Sequence, residues 1–406
     1  MNEVKLGAIA DLISSNVDKK SRDDETPVRL VNYTDVYYGS VLNSDHDFME
    51  ATASSQQIER VGLRHGDVIF TKDSESPDDI GIPAIANSPD GDMICGYHLT
   101  IARPHPEFVF SKYLYWYLNS AQAKRHWEQT ANGVTRFSIG FSATSALPVY
   151  LPPLPTQRAI ADYLDRETAE IDGMRADLDE MERLLEERRE SLFSSIVGNE
   201  DTEVRVGVTS LLITGSTPKG GRLGAKDRPE KGLLWLRPED LDEKRPTRAI
   251  KLTPAESETV KTLPANTPLF CGIGATVGKT GFANQRCATN QQITALVPQH
   301  GFDARYLFRA LQAKQNEIRE TAPSSTLKIV NNQRLGAQKI PYASYAEQRR
   351  IADEIDRETA EIDSMLEDIT KLRDLLVERR AAVISAAVTG QIDIPASLDD
   401  KDEPHA

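Results

Sequence analysis

One block of sequence occurs twice in this 406-residue chain, displaced by 191 positions. Gln157-Arg158-Ala159-Ile160-Ala161-Asp162 returns as Gln348-Arg349-Arg350-Ile351-Ala352-Asp353, and Asp165 to Asp172 returns unchanged as Asp356 to Asp363. Over residues 157–174, 14 of 18 positions are identical. Glu187-Arg188-Arg189 comes back as Glu378-Arg379-Arg380 without a gap. A repeat of this length and constancy means that the chain is built twice on one plan.

Each copy carries an apolar stripe in alternating steps of four and three, the pattern of a left-handed coiled coil. The first copy gives Ile160, Leu164, Ile171, Met174, Leu178, Met181, Leu185 and Leu192, interrupted by Glu167 and Arg188. The second gives Ile351, Ile355, Ile362, Met365, Ile369, Leu372, Leu376 and Val383, interrupted by Glu358 and Arg379. A helix packed on its own globule is one way to bury such a stripe. Two register-matched copies in one chain favour the other way, in which they bury each other. An antiparallel pair is expected, because the chain then runs globule, helix, globule, helix and closes on a pseudo-twofold axis. Glu167 would face Arg379 and Arg188 would face Glu358, as two buried ion pairs that fix register more than they stabilise.

The expected divisions are a globular domain over 1–153, a helix over 154–199, a second globular domain over 200–343, a second helix over 344–392 and an acidic, disordered tail over 393–406. The globular segments resemble each other weakly. Asp35 follows the strand-like Arg29 to Thr34, and Asp240 follows Leu234 to Glu239. Val68-Ile69-Phe70 and Thr267-Pro268-Leu269-Phe270 read as strands, while Tyr113 to Leu118 and Tyr306 to Leu311 read as helices. Mixed elements of this kind predict two α+β domains.

Net charge is −14, from 48 Lys and Arg against 62 Asp and Glu. It is unevenly spread: residues 201–347 hold 21 basic and 14 acidic side chains, while the other segments are acidic. Acidic, Arg-dotted helices suit either a solvated face or a protein-docking surface. No apolar run approaches the roughly 20 residues of a membrane span, and no signal peptide is evident, so a cytoplasmic protein is expected. The three cysteines, Cys95, Cys271 and Cys287, have no metal-ligand spacing.

Several motifs then carry a resemblance. Leu151-Pro152-Pro153-Leu154-Pro155-Thr156-Gln157-Arg158-Ala159-Ile160-Ala161, Glu347-Gln348-Arg349-Arg350-Ile351-Ala352 and Ala386-Ala387-Val388-Thr389-Gly390-Gln391-Ile392-Asp393 resemble the helix-opening and closing motifs of type I restriction-modification specificity subunits. Tyr342-Ala343-Ser344-Tyr345-Ala346 departs from the second proline-rich connector of that family. The resemblance implies two α/β target recognition domains separated by an antiparallel coiled coil. It implies double-stranded DNA, two modification (methyltransferase) subunits and restriction (translocase/nuclease) subunits as partners. It also implies that S-adenosylmethionine, ATP and magnesium belong to those partners, with no cofactor and no catalytic residue in this chain. A coiled-coil scaffold that binds only proteins is the alternative.

Gly272-Ile273-Gly274-Ala275-Thr276-Val277-Gly278-Lys279-Thr280 invites comparison with a phosphate loop. That motif needs glycine five positions before Gly278, where Ile273 stands, so a tight turn between strands is expected. No histidine pair has ligand spacing. DNA contacts are therefore sought in the loops. Lys219, Arg222, Lys226 and Arg228 sit among three glycines, suited to following phosphates. Lys279 tips the glycine turn, the amides of Gln291 and Gln292 suit adenine edges but equally suit the capping of turns, and Ser325 and Lys328 lie in a polar loop. In the first domain the candidates are Lys19, Lys20, Arg22, Lys72 and Arg136, with Asp23, Asp24, Asp78 and Asp79 expected to face away.

Overall fold

The computed structural model describes residues 3–197, 202–219, 229, 231–241, 249–323, 328–392 and 394. They divide into two compact units, Met1–Leu178 with Lys371–Ala406, and Asp179–Thr370. Two 44-residue helices, Leu154–Val197 and Tyr345–Val388, contribute to both units. The first begins directly after Pro152 and Pro153, with Pro155 in its opening turn, where a missing N–H costs nothing. Of the tail expected over 393–406, only Ile394 lies within the described residues.

In the first unit a five-stranded sheet has the order Ala10–Ser14, Leu99–Pro104, Val68–Thr71, Pro83–Ser88, Val41–Asn43. Only its last pair is parallel. A three-stranded sheet places Thr26–Val31 between an antiparallel Met49–Ala53 and a parallel Met93–Cys95. Side chains alternate across the larger sheet. Ile69 and Ile101 join Leu30 and Ile94 of the smaller sheet in one core. Val68, Phe70 and Ala102 join the helix Ser111–Leu118 and the long-helix residues Ile160, Leu164, Ile384 and Val388 in another. Both faces are covered, which is why Val68-Ile69-Phe70 reads as an unbroken apolar run.

The second unit repeats the plan. Its larger sheet runs Ser210–Thr214, Ile293–Pro298, Thr267–Cys271, Thr280–Ala283, all antiparallel. Leu233–Leu236 again lies between an antiparallel strand, Ile250–Leu252, and a parallel one, Cys287–Thr289. Phe270 and Leu296 pack with Tyr306, Leu307, Ile351 and Ile355, while Leu269 and Ala295 face the other core. Asp35 and Asp240 prove to be equivalent caps. Each accepts from the backbone N–H three residues earlier, Asn32 at 2.6 Å and Arg237 at 2.9 Å.

The repeated helix residues fasten each globule to its helix. Asp165 accepts from Trp116 Nε1 at 2.8 Å and from Lys112 at 2.5 Å. Asp356 accepts from Arg309 at 2.7 Å and from Arg305 at 3.1 Å. One carboxylate thus serves both copies with different cationic or polar partners.

Within each unit the two long helices meet, and burial corrects the expected seam. Ile171, Leu185, Ile362 and Ile369 are buried, but Met174, Met181, Met365 and Leu372 are 37%, 50%, 49% and 49% exposed. The half-buried positions lie one residue further on, at Arg175, Glu182 and Arg189 and at Leu366, Arg373 and Arg380. Arginine's three-methylene stem lines a seam while its head reaches water or a carboxylate. Arg380 lies 3.3 Å from Asp172 in the first unit, and Arg189 pairs with Asp363 in the second. Arg188 lies 2.8 Å from Glu358, and Arg379 lies 3.6 Å from Glu167. These last pairs are not buried as expected, because they flank the seam: the arginines are 61% and 50% exposed.

Candidate nucleic-acid interface

Each domain folds a turn against the ends of both its sheets. In the first domain Gly96-Tyr97-His98 links Met93–Cys95 to Leu99–Pro104. In the second, Asn290-Gln291-Gln292 links Cys287–Thr289 to Ile293–Pro298. Their backbone bonds correspond one for one. Gly96 N donates to Val31 O at 2.9 Å, and Asn290 N to Leu236 O at 3.0 Å. Lys72 N donates to His98 O at 3.0 Å, and Gly272 N to Gln292 O at 2.8 Å. Ile139 N donates to Lys72 O and Val330 N to Gly272 O, both at 2.8 Å. The frame is common; the side chains on it are not.

In the second domain Gln291 is exposed and accepts from Thr217 Oγ1 at 2.6 Å. Gln292 turns inward: its oxygen accepts from Asn290 at 2.9 Å and its nitrogen points at Ile273 O, 3.4 Å away. Its amide thus bonds within the turn. Lys219 is exposed, with its backbone N–H on Thr259 Oγ1 at 3.0 Å. Lys328 is exposed and its carbonyl receives Gly274 N at 3.1 Å, which brings it to the same turn. Lys261 stands nearby, its Nζ 3.5 Å from Thr214 O, and was not singled out from sequence. Arg222, Lys226, Arg228 and Ser325 lie outside the described residues.

The glycine-rich segment is a hairpin turn between Thr267–Cys271 and Thr280–Ala283. Gly274 at φ +100° and Gly278 at φ +96° adopt backbone that side chains disfavour. Lys279 is half-buried at its neck and lines a cavity of about 270 Å³ with Gln315 and Arg319.

In the first domain Lys19 is exposed, whereas Lys20 lies 3.8 Å from Asp18 and Arg22 lies 3.7 Å from Glu25. Lys72 is half-buried, donating to Ser15 O at 3.2 Å, with its Nζ 5.2 Å from the Tyr97 ring centre. Arg136 is exposed and lies against His98, whose Nδ1 is 2.9 Å from Asp73. Asp79 accepts from Tyr37 at 2.8 Å and holds that hydroxyl's pKa up at about 12. Tyr37 stacks on Tyr33 at 5.4 Å, and burial raises the pKa of Tyr33 while the Arg136 charge opposes the rise.

Tyr33, Tyr37, Tyr97 and His98 were missed in the sequence. A signal for the last two existed. His98-Leu99-Thr100-Ile101-Ala102-Arg103-Pro104 parallels Gln292-Ile293-Thr294-Ala295-Leu296-Val297-Pro298, which sets Tyr97 at the place of Gln291.

Among the described residues, no group of three or more His, Cys, Asp or Glu is arranged to hold a metal ion, and no helix is long and apolar enough to cross a membrane. The type I restriction modification DNA specificity domain model matches residues 1–183 and 219–372. The specificity subunit of type I restriction enzyme EcoBI from Escherichia coli is 27% identical over 135 residues. That match covers 33% of this chain and 28% of that protein, well under two thirds of its length. A chain from a structure described as the basis of complex assembly and conformational transition of the type I R-M system is similar, with TM-score 0.76 and 19% identity. The match covers 96% of this chain and 98% of that one. The HsdS subunit of Thermoanaerobacter tengcongensis gives TM-score 0.62 at 20% identity, over 96% and 97% of the two chains. At such identities the structures support the fold.

Proposed function

This chain belongs to the type I restriction modification DNA specificity family, and from that premise we propose that it is a DNA sequence reader with two unlike half-sites. Each globular domain reads one half. The observation that carries this reading is the matched turn: one backbone frame, built twice, offers Tyr97-His98 in one domain and Gln291 in the other. Exposed amide, aromatic and cationic groups on a rigid sheet edge suit base readout, and the surrounding lysines suit phosphate.

The long helices act as a spacer. A helix of 44 residues at about 1.5 Å each is about 66 Å long, enough for half-sites about one DNA turn apart. The acidic outer helix faces receive two modification subunits, which restriction subunits join. Methyl transfer with S-adenosylmethionine, and ATP- and magnesium-dependent cleavage, belong to those partners, and this chain does no chemistry itself. The assembly works in the cytoplasm.

The test is binding of the full chain to duplex DNA. Affinity should fall steeply with salt, as phosphate contacts require. Inserting one heptad into both helices should lengthen the spacer of the selected site and leave both half-sites unchanged. Salt-independent binding, or an unchanged spacer, refutes the reading.

A further inference from the structure

The two domains share one hairpin frame and occupy the space beside it with opposite chemistry. In the first domain Gly81 N donates to Thr71 O at 2.9 Å and Thr71 N to Ile82 O at 3.1 Å. In the second, Gly278 N donates to Cys271 O at 3.0 Å and Cys271 N to Lys279 O at 2.8 Å. Gly278 therefore stands where Gly81 stands, and Lys279 where Ile82 stands. Gly81 packs on Trp127 of the helix Ala121–Thr130, and Gly278 packs on Arg319 of the helix Gln315–Glu320. Trp127 is fully buried and stacks on Phe70 with ring centres 5.7 Å apart, so the first domain closes this place with an indole. The second leaves a cavity of about 270 Å³, lined beside the glycine turn by Thr276, Lys279, Gln315, Asn316 and Arg319.

Two cations and two amides, with no carboxylate among the lining residues, suit an anion. Among the described residues neither Lys279 nor Arg319 forms an ion pair. The volume lies below the roughly 300–1,000 Å³ that encloses a cofactor-sized ligand. Thr276, Asn316 and Arg319 are exposed at its mouth, so a phosphate can enter while the chain that bears it continues outside. The same hairpin reaches the matched turn: Gly272 N donates to Gln292 O at 2.8 Å and Gly274 N to Lys328 O at 3.1 Å. A phosphate held here is therefore held beside the base-reading edge, where backbone contacts fix register and leave sequence to the bases. We infer that this place in the second domain, unlike its counterpart in the first, is a phosphate pocket in which Lys279 and Arg319 hold one phosphodiester of the DNA backbone. They set the register of that domain on its half-site and read no base.

This inference rests on the DNA-reading function above, and one experiment separates the two. The full chain, Arg319→Ala and Lys279→Gln are titrated across a range of salt against a duplex selected by the wild type, and against copies of it ethylated at single phosphates. Ethylation of one phosphate beside one half-site should weaken wild-type binding about 10-fold and leave both variants unaffected. Each variant should bind all sequences about 10-fold more weakly, lower the salt slope by about 1 and select the same bipartite site. A salt slope equal to that of the wild type, or an altered half-site sequence, overturns the inference and leaves the function standing. Inorganic phosphate at constant ionic strength provides the second arm. A rise in wild-type melting temperature that Arg319→Ala abolishes, with the DNA salt slope of that variant unchanged, assigns the cavity to a free anion and overturns the inference. A wild type that binds no duplex overturns both.

Discussion

Gln157 and Gln348 make the same bonds at the foot of the two long helices. Gln157 Oε1 accepts from Phe110 N and its Nε2 donates to Pro152 O, each at 2.8 Å. Gln348 accepts from Asp303 N and donates to Ala343 O, again at 2.8 Å. Both amides are buried. Each bridges the helix-bearing connector to the segment that opens the globule's own helix. The proline-rich first connector and its proline-poor second counterpart therefore converge on one geometry, because the glutamine rather than the prolines closes it.

Replacing either glutamine by leucine keeps the volume and leaves one backbone donor and one acceptor unpaired, with Phe108 O as a second acceptor at Gln157. A loss of about 2–4 kcal/mol is expected, from about 1–3 kcal/mol per unsatisfied buried group. Urea unfolding of the full chain checks it. Gln157→Leu is expected to cost at least as much as Gln348→Leu, and a loss below half a kcal/mol in either would refute the bridging role.

The aspartates eight residues on should differ. Asp356 faces two guanidiniums, one of them on the buried Arg309. Asp356→Asn takes a carboxylate away from a buried guanidinium and should cost about 3 kcal/mol. Asp165→Asn keeps an oxygen for Trp116 Nε1 and faces a half-exposed lysine, so about 1 kcal/mol is expected. Denaturant midpoints of the two variants give the order directly.

Seam register is checked by truncation. Leu185 is buried, whereas Met181 is half exposed. Leu185→Ala should cost about 2–3 kcal/mol, and Met181→Ala about 0.5 kcal/mol or less. The opposite order in thermal melts would restore the heptad register expected from sequence.

Acid should weaken the coil's flanking pairs. The hydrogen bond from Arg188, helped by Arg357, holds the Glu358 pKa below the ordinary glutamate value of 4.5. A carboxylate with a lowered folded pKa contributes fully above its unfolded value, and the contribution fades as pH falls through the folded one. The melting-temperature difference between wild type and Arg188→Met should therefore be constant from neutral pH to about 5 and shrink below 4.5. A difference independent of pH would show that the pair does not act through charge.

The sequence by itself determined the double plan, the two helices, their antiparallel sense and the family. These follow from periodicity and repetition, which are one-dimensional properties that survive in the chain read as a string. Which side of the apolar stripe becomes the seam was decided by tertiary structure. Positions three and four residues from Ile171 both fit a heptad, and methionine outranks arginine on apolarity alone. Packing chose arginine, because Asp172 and Asp363 stand across the helix pair to receive the heads of Arg380 and Arg189. The matched turns were half legible. Gln291 stood out by its chemistry, while His98 meets Asp73 and Arg136 only when a sheet edge brings them together across 25 and 38 residues. Such gatherings depend on strand pairing between distant segments, and no local pattern in the sequence encodes them.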